Sequence, residues 1–359
     1  MKILFALSGL HRVHRGAEVA FTSIARELTK LGNTVTLMGS GVVQANDPYR
    51  FIHVPALPRE RFQGWPNFPA LRSQESWEDA TFAPGLLTKF RPSDFDVTVT
   101  CAFPFTHWAL RRPVFGKRPK HVFVTQNGDW PAHSNRAEFR LFKCDGLVCI
   151  NPDYFERNRL RYRSALIPNG VDLERFTPGA DERTRFGLPE MVPLVLMVSA
   201  LIASKNVSQG IEAVARIPGA HLVVAGDGPL REELHRLAAT LLPGRFHQIT
   251  VPASDMPALY RCANLFMHLS LDESFGNVYV EALATGLPVV AWDCARTRWI
   301  LGDDAPLAIS GSLNALVKAI TQALHPSLVH NVKSRERALN FGWRSVAIKY
   351  HDFFGDILQ

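Results

Sequence analysis

The stretch from 270 to 291, SLDESFGNVYVEALATGLPVVA, restricts the fold more than any other part of the sequence. Glu273 lies near its start, followed by a short turn that contains Gly276 and then by apolar residues at helical spacing. A Gly-Leu-Pro stop at 286–288 ends the helical pattern, and the β-branched pair that follows suits a buried strand. The stretch therefore predicts a loop, a helix, a turn and a strand in succession.

This unit has the physical properties of a site for a phosphate ester. The first amides of a helix lack partners within the helix and lie at the positive end of its dipole, so anions bind there. Glu281 follows Glu273 by eight residues, or about 12 Å along a helix, which is too far for a glycosidase pair at about 5–9.5 Å. The spacing suits an extended ligand with hydroxyls at both ends and a diphosphate between them, as in a sugar nucleotide. A surface helix with two solvated glutamates fits the spacing equally well.

The segment ESFGNVYVEALATGLPVVA resembles the E-x7-E signature of the retaining GT-B glycosyltransferases of family 4. The order of other segments is also similar to that family: IPNGVDLERFTPG, VLMVSALIASKN, LVVAGDGPL and ALYRCANLFMHLS. The resemblance covers most of the chain. It implies an α/β chain with the GT-B fold, in which two Rossmann-like domains with doubly wound parallel sheets face each other across a cleft.

The same resemblance implies an activity. It implies transfer of a hexosyl-type sugar from a nucleotide-diphosphate sugar, with UDP or GDP favoured, to a hydroxyl of a glycan, a lipid-linked molecule or a small molecule. Configuration would be retained (EC 2.4), with no cofactor and no metal, in polysaccharide or glycoconjugate biosynthesis. Two alternatives stay open: an inactive glycosyltransferase-like partner or binding subunit, and a nucleotide-sugar epimerase with the same architecture.

The resemblance also assigns roles to residues. Lys205 would hold the diphosphate, Glu273 would contact the donor sugar, and Glu281 would bind ribose hydroxyls. Asn127 stands at a catalytic position, and the nucleobase would lie near Val251. The residues expected to surround the donor phosphates are Gly16, Ser274, Phe275, Gly276, Asn277 and Val278.

Three positions depart from the family pattern. Arg15 replaces the first glycine of a pair that ends at Gly16, and Asn127 replaces a histidine that faces the donor sugar. An amide cannot carry the charge of an imidazolium. Ala200 stands where the family has an arginine that grips the diphosphate, and Arg296 is our candidate for the missing cation.

The length of 359 residues predicts two domains. We place them at 1–183, on the acceptor side, and at 190–341, on the donor side, with a helix at 343–358 that packs back on the first domain. The N-terminal apolar run is too short for a signal peptide. The run near 191–203 is shorter than the ~20 residues of a membrane helix. We therefore expect a cytoplasmic protein.

Charge is divided unevenly along the chain. Residues 1–180 carry a net charge of +8 and the remainder −1, which suggests an anionic partner for the first half. No nucleic-acid motif is present, so we expect no nucleic-acid partner and favour an anionic membrane surface or a phosphorylated acceptor. Basic and aromatic residues at 103–120, together with a predicted helix at 154–163, are typical either of peripheral contact with the inner membrane face or of solvated arginines.

Metal chemistry is not indicated. Asp94-Phe95-Asp96 is a literal D-x-D, but it stands where a strand begins, so we interpret it as a strand entry. The 13 histidines and five cysteines form no spaced metal motif. The sequence predicts no catalytic metal.

Overall fold

The computed structural model describes residues 1–113, 116–325 and 328–359, with the backbone alone for 328–331. The chain divides into two compact units. The first consists of Met1–Asn169 with Trp343–Gln359, and the second of Gly170–Gly342. Each unit has its own parallel sheet and its own hydrophobic core.

The first unit contains a seven-stranded sheet with strand order β3-β2-β1-β4-β5-β6-β7, in which every pairing is parallel. The strands are β1 (Lys2–Ala6), β2 (Thr34–Gly39), β3 (Arg50–His53), β4 (Val97–Thr100), β5 (Lys120–Val124), β6 (Gly146–Cys149) and β7 (Ser164–Leu166). The helices are α1 (Gly16–Lys30), α2 (Gln74–Lys89), α3 (Phe105–Leu110), α4 (Trp130–His133) and α5 (Pro152–Asn158). The strand order reverses between β1 and β4, which gives a doubly wound α/β sheet.

Apolar periodicity explains the principal elements of this unit. In α1, Phe21, Ile24 and Leu28 recur at helical spacing, and all three are buried. This spacing predicts a helix from about Ala17 to Leu31, and the run TVTLMG predicts a strand at 34–39. Both predictions are confirmed, by α1 and β2. The strand entry at Asp96 is confirmed as well, because its carboxylate accepts a hydrogen bond from the Lys2 amide at 2.8 Å beside β4.

Three predicted elements were too long. The segments HVFVTQNGDW and GLVCINP predict strands at 121–130 and 146–152, but β5 and β6 end at Val124 and Cys149. The predicted helix at 154–163 is α5, which begins at Pro152 and ends at Asn158. The arginines at 159, 161 and 163 therefore follow the helix and do not lie on it.

The second unit contains a six-stranded parallel sheet with strand order β10-β9-β8-β11-β12-β13. The strands are β8 (Leu194–Val198), β9 (His221–Ala225), β10 (Phe246–Ile249), β11 (Leu265–His268), β12 (Val289–Trp292) and β13 (Leu307–Ala308). The helices are α6 (Val207–Ala215), α7 (Arg231–Leu241), α8 (Met256–Arg261), α9 (Asn277–Ala284), α10 (Ala295–Leu301), α11 (Leu313–Ala323) and α12 (Leu328–Leu339). The strand order reverses between β8 and β11, and ligands of such sheets bind at the carboxyl ends of the strands beside that point.

The loop, helix, turn and strand predicted for 270–291 are confirmed. The helix is α9 and the strand is β12. Gly286 follows the helix with φ of 82°, a left-handed conformation that glycine adopts without steric cost.

The last helix, α13 (Trp343–Leu358), belongs to the first unit. It packs against α1 and buries Val346, Tyr350 and Phe354. The Asn33 side chain also lies within hydrogen-bond distance of His351, at 3.1 Å. The C-terminal segment therefore completes the unit in which the chain begins.

Candidate functional site

A cavity of about 520 Å³ lies in the second unit, where the strand order reverses. Its walls come from the segments that follow β8, β9 and β11 and from the start of α9. The lining residues are Val198, Ser199, Ala200, Lys205, Ala225, Gly226, Asp227, His268, Glu273, Gly276, Asn277 and Val278. Three strands thus deliver their carboxyl ends to one cavity, together with the N-terminus of a helix.

Lys205 and Glu273, which lie far apart in the sequence, meet in this cavity. The Lys205 ammonium forms an ion pair with Glu273 Oε1 and lies 3.4 Å from the Ser270 hydroxyl. Asn206 follows with φ of 52° and donates a hydrogen bond to the Leu269 carbonyl at 2.9 Å. This bond ties the segment that carries Lys205 to the segment after β11.

His268 is a third member of this group, and no motif in the sequence indicated it. Its Nε2 donates to Glu273 Oε1 at 3.1 Å. Burial acts to raise the pKa of Glu273, but the hydrogen bond and charge of His268 and the Lys205 ammonium outweigh it and lower the pKa to about 2. Glu273 is therefore a carboxylate throughout the physiological pH range.

The N-terminus of α9 forms one wall of the cavity. Gly276 precedes the helix with φ of 91°, and a Cβ there would lie 2.6 Å from the Tyr279 ring. The amides of Asn277 and Val278 begin the helix beside Glu273. Phe275 has a buried side chain that packs against Trp299, with the ring centroids 6.2 Å apart. This wall presents the positive end of a helix dipole to the cavity.

Glu281 lies further along α9 and outside the described residues that line the cavity. Its Oε2 accepts a hydrogen bond from the Tyr260 hydroxyl at 2.9 Å. Burial raises the pKa of Glu281, while this hydrogen bond and the charge of Arg175 act to lower it. Tyr260, on α8, is thus a further contact that the sequence did not indicate.

Arg296 lies beneath the loop that carries Glu273. Its guanidinium donates to the carbonyls of Glu273 at 2.6 Å and Leu271 at 3.3 Å. It is 5% exposed and is not among the described residues that line the cavity. In this structure Arg296 therefore binds the backbone of the loop and does not face the cavity.

The other predicted residues lie elsewhere. Val251 follows β10 and does not belong to the described cavity lining. Gly16 is the first residue of α1 in the first unit, and the Arg15 side chain before it pairs with Glu78 at 3.2 Å. Asn127, also in the first unit, lies in the turn after β5, where its carbonyl accepts from Trp130 Nε1 at 2.7 Å.

The described residues contain neither a metal-binding cluster nor a membrane-spanning helix. No cluster of three or more His, Cys, Asp or Glu side chains in the part of the chain that the structure describes could hold a metal ion. No helix within the described ranges is both long enough and apolar enough to span a bilayer.

Comparison with known families assigns both parts of the chain. Residues 14–175 match the model of "Glycosyltransferase Family 4", and residues 180–340 match that of "Glycosyl transferases group 1". The chain carries the two domains of a family 4 type glycosyltransferase.

Curated relatives agree with this assignment. The lipopolysaccharide core biosynthesis glycosyltransferase LpsE of Rhizobium meliloti is 30% identical over 222 residues, which is 60% of this chain and 63% of LpsE. The alpha-monoglucosyldiacylglycerol synthase of Streptococcus pneumoniae is 27% identical over 61% of this chain and 53% of its own length. The chain thus matches less than two thirds of the length of these relatives.

Solved structures show the GT-B fold over the whole chain. Sucrose-phosphate synthase from Thermosynechococcus elongatus superposes with a TM-score of 0.75 at 21% identity, covering 99% of this chain and 98% of that one. Anabaena HepE in complex with UDP-glucose superposes with a TM-score of 0.69 at 18% identity, covering 99% and 100%. The prediction of two Rossmann-like domains in a GT-B chain is confirmed.

Proposed function

We propose that this protein transfers a sugar from a nucleotide-diphosphate sugar to an acceptor hydroxyl, with retention of configuration and without a metal ion. The observation that carries the proposal is the cavity in which Lys205, Glu273 and His268 meet beside the N-terminus of α9. A cation, the amides of a helix start and a carboxylate are the groups that a diphosphate and a sugar require. The relatives named above, and the UDP-glucose in the HepE structure, support this donor class.

The proposed reaction forms one bond and breaks another at the anomeric carbon. The bond from that carbon to the phosphate oxygen breaks as the acceptor oxygen forms a new bond on the same face of the sugar. The acceptor proton passes to the departing diphosphate. Lys205 and the amides of Gly276, Asn277 and Val278 stabilise the charge that develops on the leaving group. Glu273 accepts hydrogen bonds from sugar hydroxyls and so fixes the geometry of attack.

Glu281 receives the ribose in this proposal. Its carboxylate is held by the Tyr260 hydroxyl and lies on the same helix as the diphosphate amides. The nucleobase would lie beyond the ribose, near Val251. Gly16 and Asn127 keep the roles that the family resemblance implies, which are contacts with the donor phosphates and the donor sugar.

Donor hydrolysis without acceptor tests this function. The purified protein is incubated with UDP-, GDP-, ADP- and dTDP-sugars in EDTA, and nucleotide release and the sugar product are analysed. We expect slow release of one nucleotide diphosphate, with loss of that release in Glu281→Ala and no loss in the exposed control Glu233→Ala on α7. No nucleotide release from any of these donors, together with no nucleotide binding, would favour an inactive partner subunit. An epimerised donor would favour an epimerase.

We also propose that the first unit contacts an anionic membrane surface. The α4 helix contacts both the 137–141 turn and α5. Trp130 in α4, Leu141 in the turn and Leu160 just after α5 are 59%, 66% and 90% exposed. The exposed basic residues in and beside these segments are Arg136, Arg140, Lys143, Arg157, Arg159, Arg161 and Arg163. Exposed apolar side chains among arginines suit an interface with anionic lipids.

Vesicle sedimentation tests the membrane contact. We expect binding to phosphatidylcholine vesicles that contain phosphatidylglycerol, with weaker binding at high salt because the surface charges are screened. Leu160→Ser should weaken binding several-fold, whereas Met191→Ser, which removes a 95% exposed apolar side chain in the second unit, should not. Equal binding to vesicles without phosphatidylglycerol would contradict the proposal.

A further inference from the structure

His268, the last residue of β11, is buried like a core residue but also forms a polar contact in the cavity. It is 2% exposed, and its ring lies between Phe266 and Tyr279, with centroids 6.3 Å and 5.1 Å away. Its Nε2 donates to Glu273 Oε1 at 3.1 Å. It is both a wall residue of the cavity and a direct partner of the Glu273 carboxylate.

The other ring nitrogen of His268, Nδ1, shows that burial alone does not explain a histidine at this position. Nδ1 of His268 is buried and has no hydrogen-bond partner in the described part of the structure. A buried polar atom without a partner destabilises the fold. Leucine or phenylalanine would fill the same space between the aromatic rings without that cost. The feature of histidine that the fold uses is therefore the Nε2–H bond to Glu273.

Lys205 cannot hold the Glu273 carboxylate once a donor is bound. In the structure, Lys205 and His268 both contact Oε1 of Glu273. Among the described residues that line the cavity, Lys205 is the single Lys or Arg. An arriving diphosphate therefore draws the ammonium away from Glu273, because it carries the larger negative charge. The Nε2–H of His268 stays directed at Glu273.

We propose that His268 is a positioning residue, which holds the Glu273 carboxylate in place while the Lys205 ammonium turns to the donor diphosphate. This inference rests on the proposed function. Both partners hold Glu273 before the donor binds, and His268 alone holds it afterwards. Loss of His268 should therefore impair the chemical step more than the binding of the nucleotide.

Kinetics of three variants test this role. His268→Gln retains an N–H donor near the Nε2 position, His268→Leu removes it, and Met267→Leu is a volume-conserving control in the same strand. With the donor that the wild type hydrolyses, we expect His268→Leu to lower kcat at least tenfold. The dissociation constant of the matching nucleotide diphosphate should change less than twofold. His268→Gln should stay within about threefold of the wild type in kcat, and Met267→Leu should match the wild type.

Three results would overturn the proposal: an unchanged kcat in His268→Leu, equal losses in both His268 variants, or nucleotide binding weakened as much as kcat. The last result would make His268 a structural part of the cavity wall. These comparisons need no assumption about the acceptor, because they use donor hydrolysis alone.

A measurement without substrate separates this proposal from the proposed function. Histidine ¹⁵N NMR spectra should contain a hydrogen-bonded Nε2–H signal that is absent from His268→Gln and shifted in Glu273→Gln. A signal that Glu273→Gln leaves unshifted would refute the contact on which the positioning role depends. If the wild type hydrolyses no donor while Glu273→Gln still shifts the Nε2–H signal, the proposed function and the role of His268 in catalysis are refuted. That result would nevertheless establish the contact between His268 and Glu273.

Discussion

At the scale of single residues, Ala200 lines the cavity at a position where an added cation should strengthen binding of the proposed donor. It is exposed at the cavity, where Lys205 is the single Lys or Arg among the described lining residues and Glu273 and Asp227 carry the opposite charge. We expect Ala200→Arg to lower the dissociation constant of the preferred nucleotide diphosphate about tenfold, since a hydrogen bond to a charged group contributes about 1.5–3 kcal/mol. Calorimetric titration measures the change.

Ala203→Arg is the matched control for that substitution. Ala203 is also exposed, but it does not belong to the described lining of the cavity. The Ala203→Arg substitution adds the same charge to the same loop as Ala200→Arg. Equal tightening by both variants would mean that the effect comes from net charge, and that the cavity has no specific place for an arginine at position 200.

At this scale, the sequence indicated some site residues and not others. Glu273 and Lys205 belong to motifs, and the structure brings them together. His268 was missed because a lone histidine at the end of an apolar strand resembles an ordinary core residue. Its position five residues before Glu273 was the available signal. The direction of the Arg296 side chain could not be predicted, because it depends on which carbonyls the folded loop presents.

Among the structural elements, the start of α9 depends on the conformation of one glycine. Gly276 has φ of 91° and a Cβ there would meet the Tyr279 ring, whereas Gly302 has φ of 89° with open space around a Cβ. A side chain in the left-handed region costs about 1–2 kcal/mol. We therefore expect both Gly276→Ala and Gly302→Ala to lower the melting temperature by several degrees.

Only Gly276→Ala should also weaken nucleotide diphosphate binding, by tenfold or more, because it displaces the amides at the start of the helix. Gly302→Ala thus measures the backbone cost alone. If the two variants bind nucleotide equally well, the α9 N-terminus does not hold the diphosphate. Thermal melting and calorimetric titration of the same preparations provide both readouts.

The sequence predicted the type of the principal elements, but it predicted several of their ends incorrectly. Hydrophobic periodicity identifies a buried strand or an amphipathic helix without knowledge of the tertiary structure. The ends depend on local contacts. The strand predicted at 146–152 stops at Cys149 because Asn151 caps α5, accepting a hydrogen bond from the Tyr154 amide at 2.9 Å, and Pro152 begins that helix.

Considered as a whole molecule, the protein carries a buried histidine network in its first unit. His121 lies within hydrogen-bond distance of Thr98 at 2.9 Å and of His107 at 3.1 Å. Burial, with a contribution from the Arg111 charge, lowers the pKa of His107 to about 3, and burial lowers the pKa of His121 well below its usual value. No motif in the sequence pointed to this network, because its members come together only when β4, β5 and α3 pack.

This network makes the stability of the first unit depend on pH. Both histidines take up protons below about pH 6.5 in the unfolded chain but stay neutral in the folded one, so stability is full above that pH and falls as the pH drops. His107 alone should cost about 2 kcal/mol at pH 5. Hydrogen exchange should therefore accelerate in β4 and β5 between pH 7 and 5, after correction for intrinsic rates. The combined variant Thr98→Val, His107→Leu, His121→Leu should reduce that acceleration, and the exposed control His14→Gln should retain it. An acceleration that persists unchanged in the combined variant would place the acid sensitivity outside this network.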